Sequence, residues 1–180
     1  MRWTGLKHRL EQKLCADLAG RLSFHKTVYR TTHYDDGRAW ITVDGEEIFS
    51  ACTFESWRRE HVLAVLELGY PESTAAEEGS MNLPGYNAAR THVEARRRAE
   101  GLLTSSEFSD RAFKFLSLPF DEALASDDAM IRGLTIIDRR LGRRRLEAMT
   151  PPSVAPAAPL FALRCGLGAT QSHSTPSLST

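Results

Sequence analysis

The chain has 180 residues, of which 42% are hydrophobic and 26% are charged, and its 23 basic residues balance its 23 acidic ones. This length suffices for one core, or for a compact domain with a helical extension. The balanced charge excludes a global field that would recruit nucleic acid or an anionic membrane, so any such binding has to be local.

The cysteines and the hydropathy pattern bear on the compartment. Three scattered cysteines form no Cys-x-x-Cys motif, which is typical of a protein in a reducing environment. Charged residues within the first 14 positions argue against a signal peptide. Because no run of about 18 apolar residues occurs, we expect a cytoplasmic protein with no membrane partner.

The first 70 residues predict an α-β-β-β-α unit with an antiparallel three-stranded meander, and therefore an α+β fold. Apolar residues recur at helical spacing from Trp3 to Leu18, with Gly20 as the stop. A strand and a polar turn follow, and then Asp44-Gly45 stands between two β-prone runs. This pair is a strong hairpin signal, because a type I′ loop needs positive φ at both positions. Thr53 is the expected N-cap of a second helix, which continues to Gly69.

The rest of the chain divides by composition into three stretches. Residues 71–84 are rich in Ser, Thr, Glu, Gly and Pro and predict a linker or surface loop. Residues 85–149 predict a helical region, which either stands apart or packs on the first unit as one domain. Within it, residues 126–146 have the pattern of one continuous helix with Ser126 as its cap. Residues 150–180, rich in Pro, Ala, Ser and Thr, predict a disordered tail.

The α-β-β-β-α order is similar to that of the double-stranded-RNA-binding fold. That family places a Lys-rich cluster at the start of its second helix, where it contacts phosphates. Here Arg58 and Arg59 come one turn late and stand beside Glu55 and Glu60. The resemblance therefore implies the fold without the RNA site.

Three acids at the hairpin, Asp44, Glu46 and Glu47, raise a second possibility, a metal-dependent hydrolase. Nucleases with this order of elements use carboxylates to hold Mg²⁺ and a nearby Lys to activate water. The motif here lacks the Lys, so a solvated turn is the better interpretation. The histidines are scattered over separate elements, and no phosphate-binding loop, dinucleotide fingerprint or nucleophile elbow occurs. We expect no catalytic residue, metal or cofactor site.

Arginines are concentrated in residues 132–145, on the predicted long helix. They could bind phosphates of a nucleic acid, or they could complement the helix dipole and pair with acidic residues elsewhere in the chain. Asp138 within this run suggests a specific ion pair. The candidate binding residues are Arg139, Arg140, Arg143 and Arg144, and Arg132 could also contact phosphates.

Several motifs are distributed over residues 1–149. They are Trp3-x-x-Leu6-Lys7, the strand start Arg21-Leu22, Gly37-Arg38-Ala39-Trp40-Ile41 with Asp44-Gly45, and Leu124-x-Ser126 followed by Asp138-Arg139-Arg140-Leu141-Gly142-Arg143-Arg144. Together they resemble a family of small uncharacterised bacterial proteins, and the last motif is the most specific part of the resemblance. The resemblance implies no catalytic residue.

The leading functional hypothesis is a non-catalytic module that binds another protein. It depends on the lack of a catalytic signature and on the polarised charge of the second half. The first alternative is a nucleic-acid-binding regulator that uses the Arg-rich helix 132–145, and the second is the hydrolase at residues 44–47.

Overall fold

The computed structural model describes residues 2–29, 36–69 and 84–170, and the side chains of these residues as far as position 166. Its elements are α1 (Trp3–Glu11), β1 (Leu22–Val28), β2 (Gly37–Val43), β3 (Glu46–Cys52), α2 (Thr53–Glu67), α3 (Tyr86–Ala99), α4 (Ser105–Ser117), α5 (Phe120–Leu124), α6 (Ala129–Ile136), α7 (Arg143–Glu147) and α8 (Ala157–Thr170).

The predicted α+β class and the three-stranded meander are confirmed. The strands pair in the order β1-β2-β3, and β2 alternates buried with half-buried residues along its whole length. Asp44 and Gly45 both have positive φ, 53° and 90°, as a type I′ hairpin requires. At the start of β2, Gly37 has no room for a side chain, because a Cβ there would lie 2.0 Å from the Thr27 carbonyl oxygen.

The described chain groups into two compact units. The first comprises Met1–Phe24, Ile41–Phe49 and Arg111–Thr180, and the second comprises His25–Trp40 and Ser50–Asp110. In the second unit α2 packs against α3 around a core of aliphatic side chains and Tyr86. The predicted linker at residues 71–84 lies, apart from Pro84, outside the described residues, so the predicted domain boundaries stay a prediction.

The first helix is shorter than the sequence predicts. α1 ends at Glu11, although Leu14 and Leu18 further along are buried as the helical spacing suggested. Leu14 instead forms an antiparallel bridge with Asp138. The Cys15 amide donates to the carbonyl of residue 137 at 2.9 Å, and the amide of residue 139 donates to the Lys13 carbonyl at 2.7 Å. The amide and carbonyl groups that a longer α1 would use for helical hydrogen bonds are therefore occupied by this extended pairing.

The same bridge interrupts the predicted helix at residues 126–146. α6 begins at Ala129, capped by Asp128, whose carboxylate accepts from the amides of Met130 and Ile131 at 3.0 and 3.1 Å. It ends at Ile136, before the bridge, and α7 begins only at Arg143. The prediction of a continuous Arg-rich helix over 132–145 is therefore wrong.

The segment after Met149 also differs from the prediction of a disordered tail. α8 occupies Ala157–Thr170, and both Ala157 and Leu160 are buried. Leu160 packs closely over Gly133, where a Cβ would lie 3.1 Å from its Cδ1 atom. The apolar residues of this Pro- and Ala-rich segment thus pack against α6. The prediction of disorder is therefore wrong for residues 157–170. Residues 171–180 lie outside the described residues.

Candidate interaction surface

The first half of α2 has an inverted arrangement of polar and apolar side chains. Thr53, Ser56 and Glu60 are buried, at one helical face. Phe54 and Trp57, three residues apart and hence on another common face, are 48% and 47% exposed. An amphipathic surface helix normally turns its apolar stripe inward. These two aromatic side chains therefore do not serve the core of the second unit.

The aromatic side chains form a continuous surface with the end of β1. The Tyr29 ring stacks on Phe54 with centroids 5.2 Å apart, and Trp57 meets Phe54 edge-on at 5.9 Å. We call Tyr29, Phe54 and Trp57 the aromatic surface. Such side chains dominate the well-packed centres of protein interfaces.

The Tyr29 hydroxyl is directed back into the protein. It lies 3.8 Å from the Cys52 sulfur. Burial, followed by this hydrogen bond, raises the pKa of Tyr29 above its ordinary value, and nearby Arg38 only partly opposes the rise. The phenol therefore stays neutral at physiological pH, and the ring adds no charge to the aromatic surface.

A buried charge network explains why Glu60 lies on the inner face of α2. Arg97 of α3 is 2% exposed and lies 3.4 Å from Glu60, which also accepts a hydrogen bond from the Tyr86 hydroxyl at 2.6 Å. The two terminal nitrogens of Arg97 donate to the two carboxylate oxygens of Glu107 at 2.9 Å each. A buried guanidinium needs such partners, so Glu60 has to face inward.

Glu107 also closes the start of α4 as a capping box. Its carboxylate accepts from the Thr104 amide at 2.8 Å, while its own amide donates to the Thr104 hydroxyl at 3.1 Å. Burial acts to raise the pKa of Glu107, but the hydrogen bonds from Arg97, Thr104 and Arg98 outweigh it and lower the pKa from 4.5 to about 2. Arg98, which also donates to Glu107, donates to Glu94 at 2.8 Å.

The arginine candidates do not form one cluster of free cations. Arg143 pairs with Glu147 at 2.8 Å on α7, and Arg140 pairs with Asp138. Arg139 and Arg144 are exposed and make no side-chain hydrogen bond or ion pair within the described part of the chain. Two of the four predicted binding residues are thus already neutralised.

The ion pair predicted for Asp138 is confirmed, and its carboxylate is buried inside the protein. Asp138 is fully buried, and its carboxylate receives two side-chain nitrogens of Arg140, the shorter contact being 2.7 Å. The Arg140 guanidinium lies 4.9 Å over the Phe120 ring, which Arg145 approaches at 6.0 Å. Two cations on one ring and a buried carboxylate orient these arginines within the first unit.

The hairpin acids and the histidines have ordinary structural environments. Asp44 receives the Arg21 Nε at 2.9 Å, and this hydrogen bond lowers the pKa of Asp44. His25 stacks on Trp40 at 5.1 Å, and His92 lies 3.0 Å from Glu67. No group of three potential metal ligands occurs among residues 2–29, 36–69 and 84–170. Across these same ranges, no helix is both long and apolar enough to cross a membrane.

Sequence reasoning predicted the helix but did not identify the aromatic surface. The sequence pattern that could have indicated this surface is the polar series Thr53, Ser56 and Glu60, which recurs at helical spacing. The apolar residues between them make this series hard to recognise. Arg97 was also missed, and the Thr104-x-x-Glu107 capping box beside it could have drawn attention to that region.

Comparison with known proteins places the chain in a family. The model of the SF0329 protein family matches residues 2–165, nearly the whole described chain. The match extends beyond Met149, where the sequence resemblance was expected to end, and it includes most of α8. No curated protein and no solved structure gives a significant match.

Proposed function

The chain belongs to the SF0329 protein family, and we propose that it is a non-catalytic module that binds another protein through the aromatic surface. The observation that carries this proposal is the inversion of α2, which exposes Phe54 and Trp57 while it buries Thr53, Ser56 and Glu60. A helix face that is apolar and is not used by the core is typical of a binding surface.

The exposed area is large enough to matter for affinity. Large aromatic side chains bury about 150–250 Å² each, so half-exposed Phe54 and Trp57 each offer on the order of 100 Å². At about 25 cal/mol per Å², covering one of them contributes on the order of 2 kcal/mol. Two such residues at the centre of an interface would supply its main anchors.

The charges around the aromatic surface favour a protein partner over a single-stranded nucleic acid. Proteins that stack bases on aromatic rings combine those rings with a positively charged groove. On α2, exposed Arg58 is offset by exposed Glu55. Rings without a basic excess suit an apolar protein segment, whose binding depends little on salt.

The test is affinity purification of the tagged full-length chain from its host, with and without nuclease, for the wild type and for the double variant F54A/W57A. We expect a protein partner that survives nuclease treatment and is lost from F54A/W57A. F113A is the matched control, because Phe113 is 49% exposed and lies outside the aromatic surface. Equal retention of the partner by F54A/W57A would refute the proposal.

A second candidate function is nucleic-acid binding through the arginines of the first unit. It is supported by the exposure of Arg139 and Arg144, which lack a side-chain partner within the described ranges. Arg140 and Arg143 would contribute less, since each already contacts a carboxylate. This function predicts affinity that falls steeply with salt and that R139A/R144A weakens across all sequences. If no nucleic acid is recovered in the nuclease-free purification described above, this second candidate function is rejected.

A further inference from the structure

The rings of the aromatic surface present one hydrogen-bond donor and no acceptor. The Tyr29 hydroxyl lies against the Cys52 sulfur, and the Phe54 ring has no polar atom. The Trp57 indole N–H only donates, and it makes no hydrogen bond within the described part of the chain. An unpaired donor is tolerated where water reaches it, so this N–H belongs to the exposed half of Trp57.

The ring planes make this surface stepped rather than flat. The Tyr29 and Phe54 rings are nearly parallel, with 14° between their planes, whereas the Trp57 ring stands at 80° to Phe54. With 5.9 Å between the Phe54 and Trp57 centroids, the two planes meet in a corner. A compact saturated ring contacts both planes of such a corner. Proline-rich segments dock in aromatic-lined grooves of this kind.

The partner's backbone follows from the donor on the rings. In a helix or a sheet, the carbonyl groups are already used by the amides of that element. A polyproline II segment makes no internal hydrogen bonds, so its carbonyls remain free. Proline also lacks a backbone N–H, so a proline-rich segment carries acceptors with few donors. Such a segment therefore complements rings that carry a donor and no acceptor.

We propose that the aromatic surface binds a proline-rich segment of another protein in the polyproline II conformation. This inference rests on the proposed function and names the chemistry of its partner. A pyrrolidine ring packs in the corner between Phe54 and Trp57, and a neighbouring carbonyl accepts from the Trp57 N–H. The segment needs no charge, because exposed Arg58 and Glu55 balance each other. The chain's own Pro156 is buried in the first unit, which favours a segment of another protein.

The test is NMR titration of the full-length chain with nonaproline, acetylated and amidated so that it carries no charge. We expect saturable shifts of the Trp57 indole signal, assigned by its loss from W57F, and of the backbone amides of Phe54 and Trp57. Affinity should change less than about twofold between about 50 and 500 mM NaCl, because no ion pair is involved. An uncharged-overall helical peptide of about 15 residues, rich in Ala and Leu, should bind at least tenfold more weakly.

Variants assign the binding to the corner and to the indole N–H. F54A removes one side of the corner and should weaken nonaproline binding at least tenfold. W57F retains a ring but lacks the N–H, and it should weaken binding at least threefold. F113A, which removes a similarly exposed ring outside the aromatic surface, should leave binding unchanged. The backbone spectrum of each variant reports its folding.

The proposal is overturned if the wild type shows no saturable shift with nonaproline, if the helical peptide binds as tightly, or if F54A or W57F binds as the wild type does. Such a failure is distinct from a failure of the proposed function. A host protein that is retained by the wild type and lost from F54A/W57A supports protein binding even where nonaproline does not bind, and then only the proline chemistry is wrong.

Discussion

Substitution of Glu107 by Gln removes the negative charge that accompanies Arg97 in the second unit. The Glu107 carboxylate accepts both terminal nitrogens of Arg97 and the Thr104 amide, so a neutral amide there loses acceptors and brings a donor toward other donors. Removing one partner of a buried ion pair typically costs about 3–5 kcal/mol. Because the Glu107 side chain retains 15% exposure, we expect about 3 kcal/mol.

Part of this loss depends on pH, and the lowered pKa sets its direction. A carboxyl group whose pKa falls from 4.5 to about 2 on folding stabilises the protein above the unfolded value. This contribution is lost as the pH falls from about 5 toward 2, and it amounts to about 2 kcal/mol after allowance for screening by water. E107Q lacks this carboxyl, so the wild type and the variant should converge as the pH falls.

The assay is urea unfolding of wild type and E107Q between pH 7 and pH 3.5. We expect the difference in unfolding free energy to shrink by about 1 kcal/mol over this range. The control is E147Q, because Glu147 and its partner Arg143 are 61% and 64% exposed, and we expect it to cost less than about 0.5 kcal/mol. A difference for E107Q that is the same at pH 7 and pH 3.5 would refute the reasoning.

Two other substitutions test the fold. G37A should destabilise by about 3 kcal/mol in urea unfolding, because its Cβ would overlap the Thr27 carbonyl oxygen, whereas G142A should cost less than about 1 kcal/mol, since nothing lies within 4 Å of a Cβ there. R164A should loosen the contact of α8 with the rest of the unit, because Arg164 donates to the carbonyls of Ile136 and Leu141 at 2.6 and 2.7 Å. We expect faster amide hydrogen exchange in α8 of R164A and unchanged exchange in the control variant C165S. Equal exchange in R164A and the wild type would contradict this prediction.

Short-range patterns predicted the elements whose cause is local. The Asp44-Gly45 hairpin depends on the φ preferences of two adjacent residues, and these are the same in any fold. The Asp138 ion pair was also predicted, because an acid among arginines needs a partner close in sequence. Neither prediction required knowledge of the rest of the chain.

The errors concern backbone and side chains whose partners lie far away in sequence. The residues around Asp138 were predicted as helix from their spacing, but the bridge to Leu14 competes for the same amides and carbonyls. Composition alone predicted that the segment after Met149 would be disordered, while Leu160 finds its surface at Gly133. In each case a long-range contact outweighs a local preference.

The sequence by itself therefore determined the class of fold, the order of the strands and their hairpin, because these follow from local periodicity and turn chemistry. Only the tertiary structure decided which face of α2 points outward, since that depends on the placement of Arg97 beside Glu60. Because the buried Arg97 guanidinium needs a carboxylate beside it, the Glu60 side of α2 faces the interior, and Phe54 and Trp57 are left at the surface. A residue 40 or so positions away along the chain thus determines where the candidate interaction surface lies.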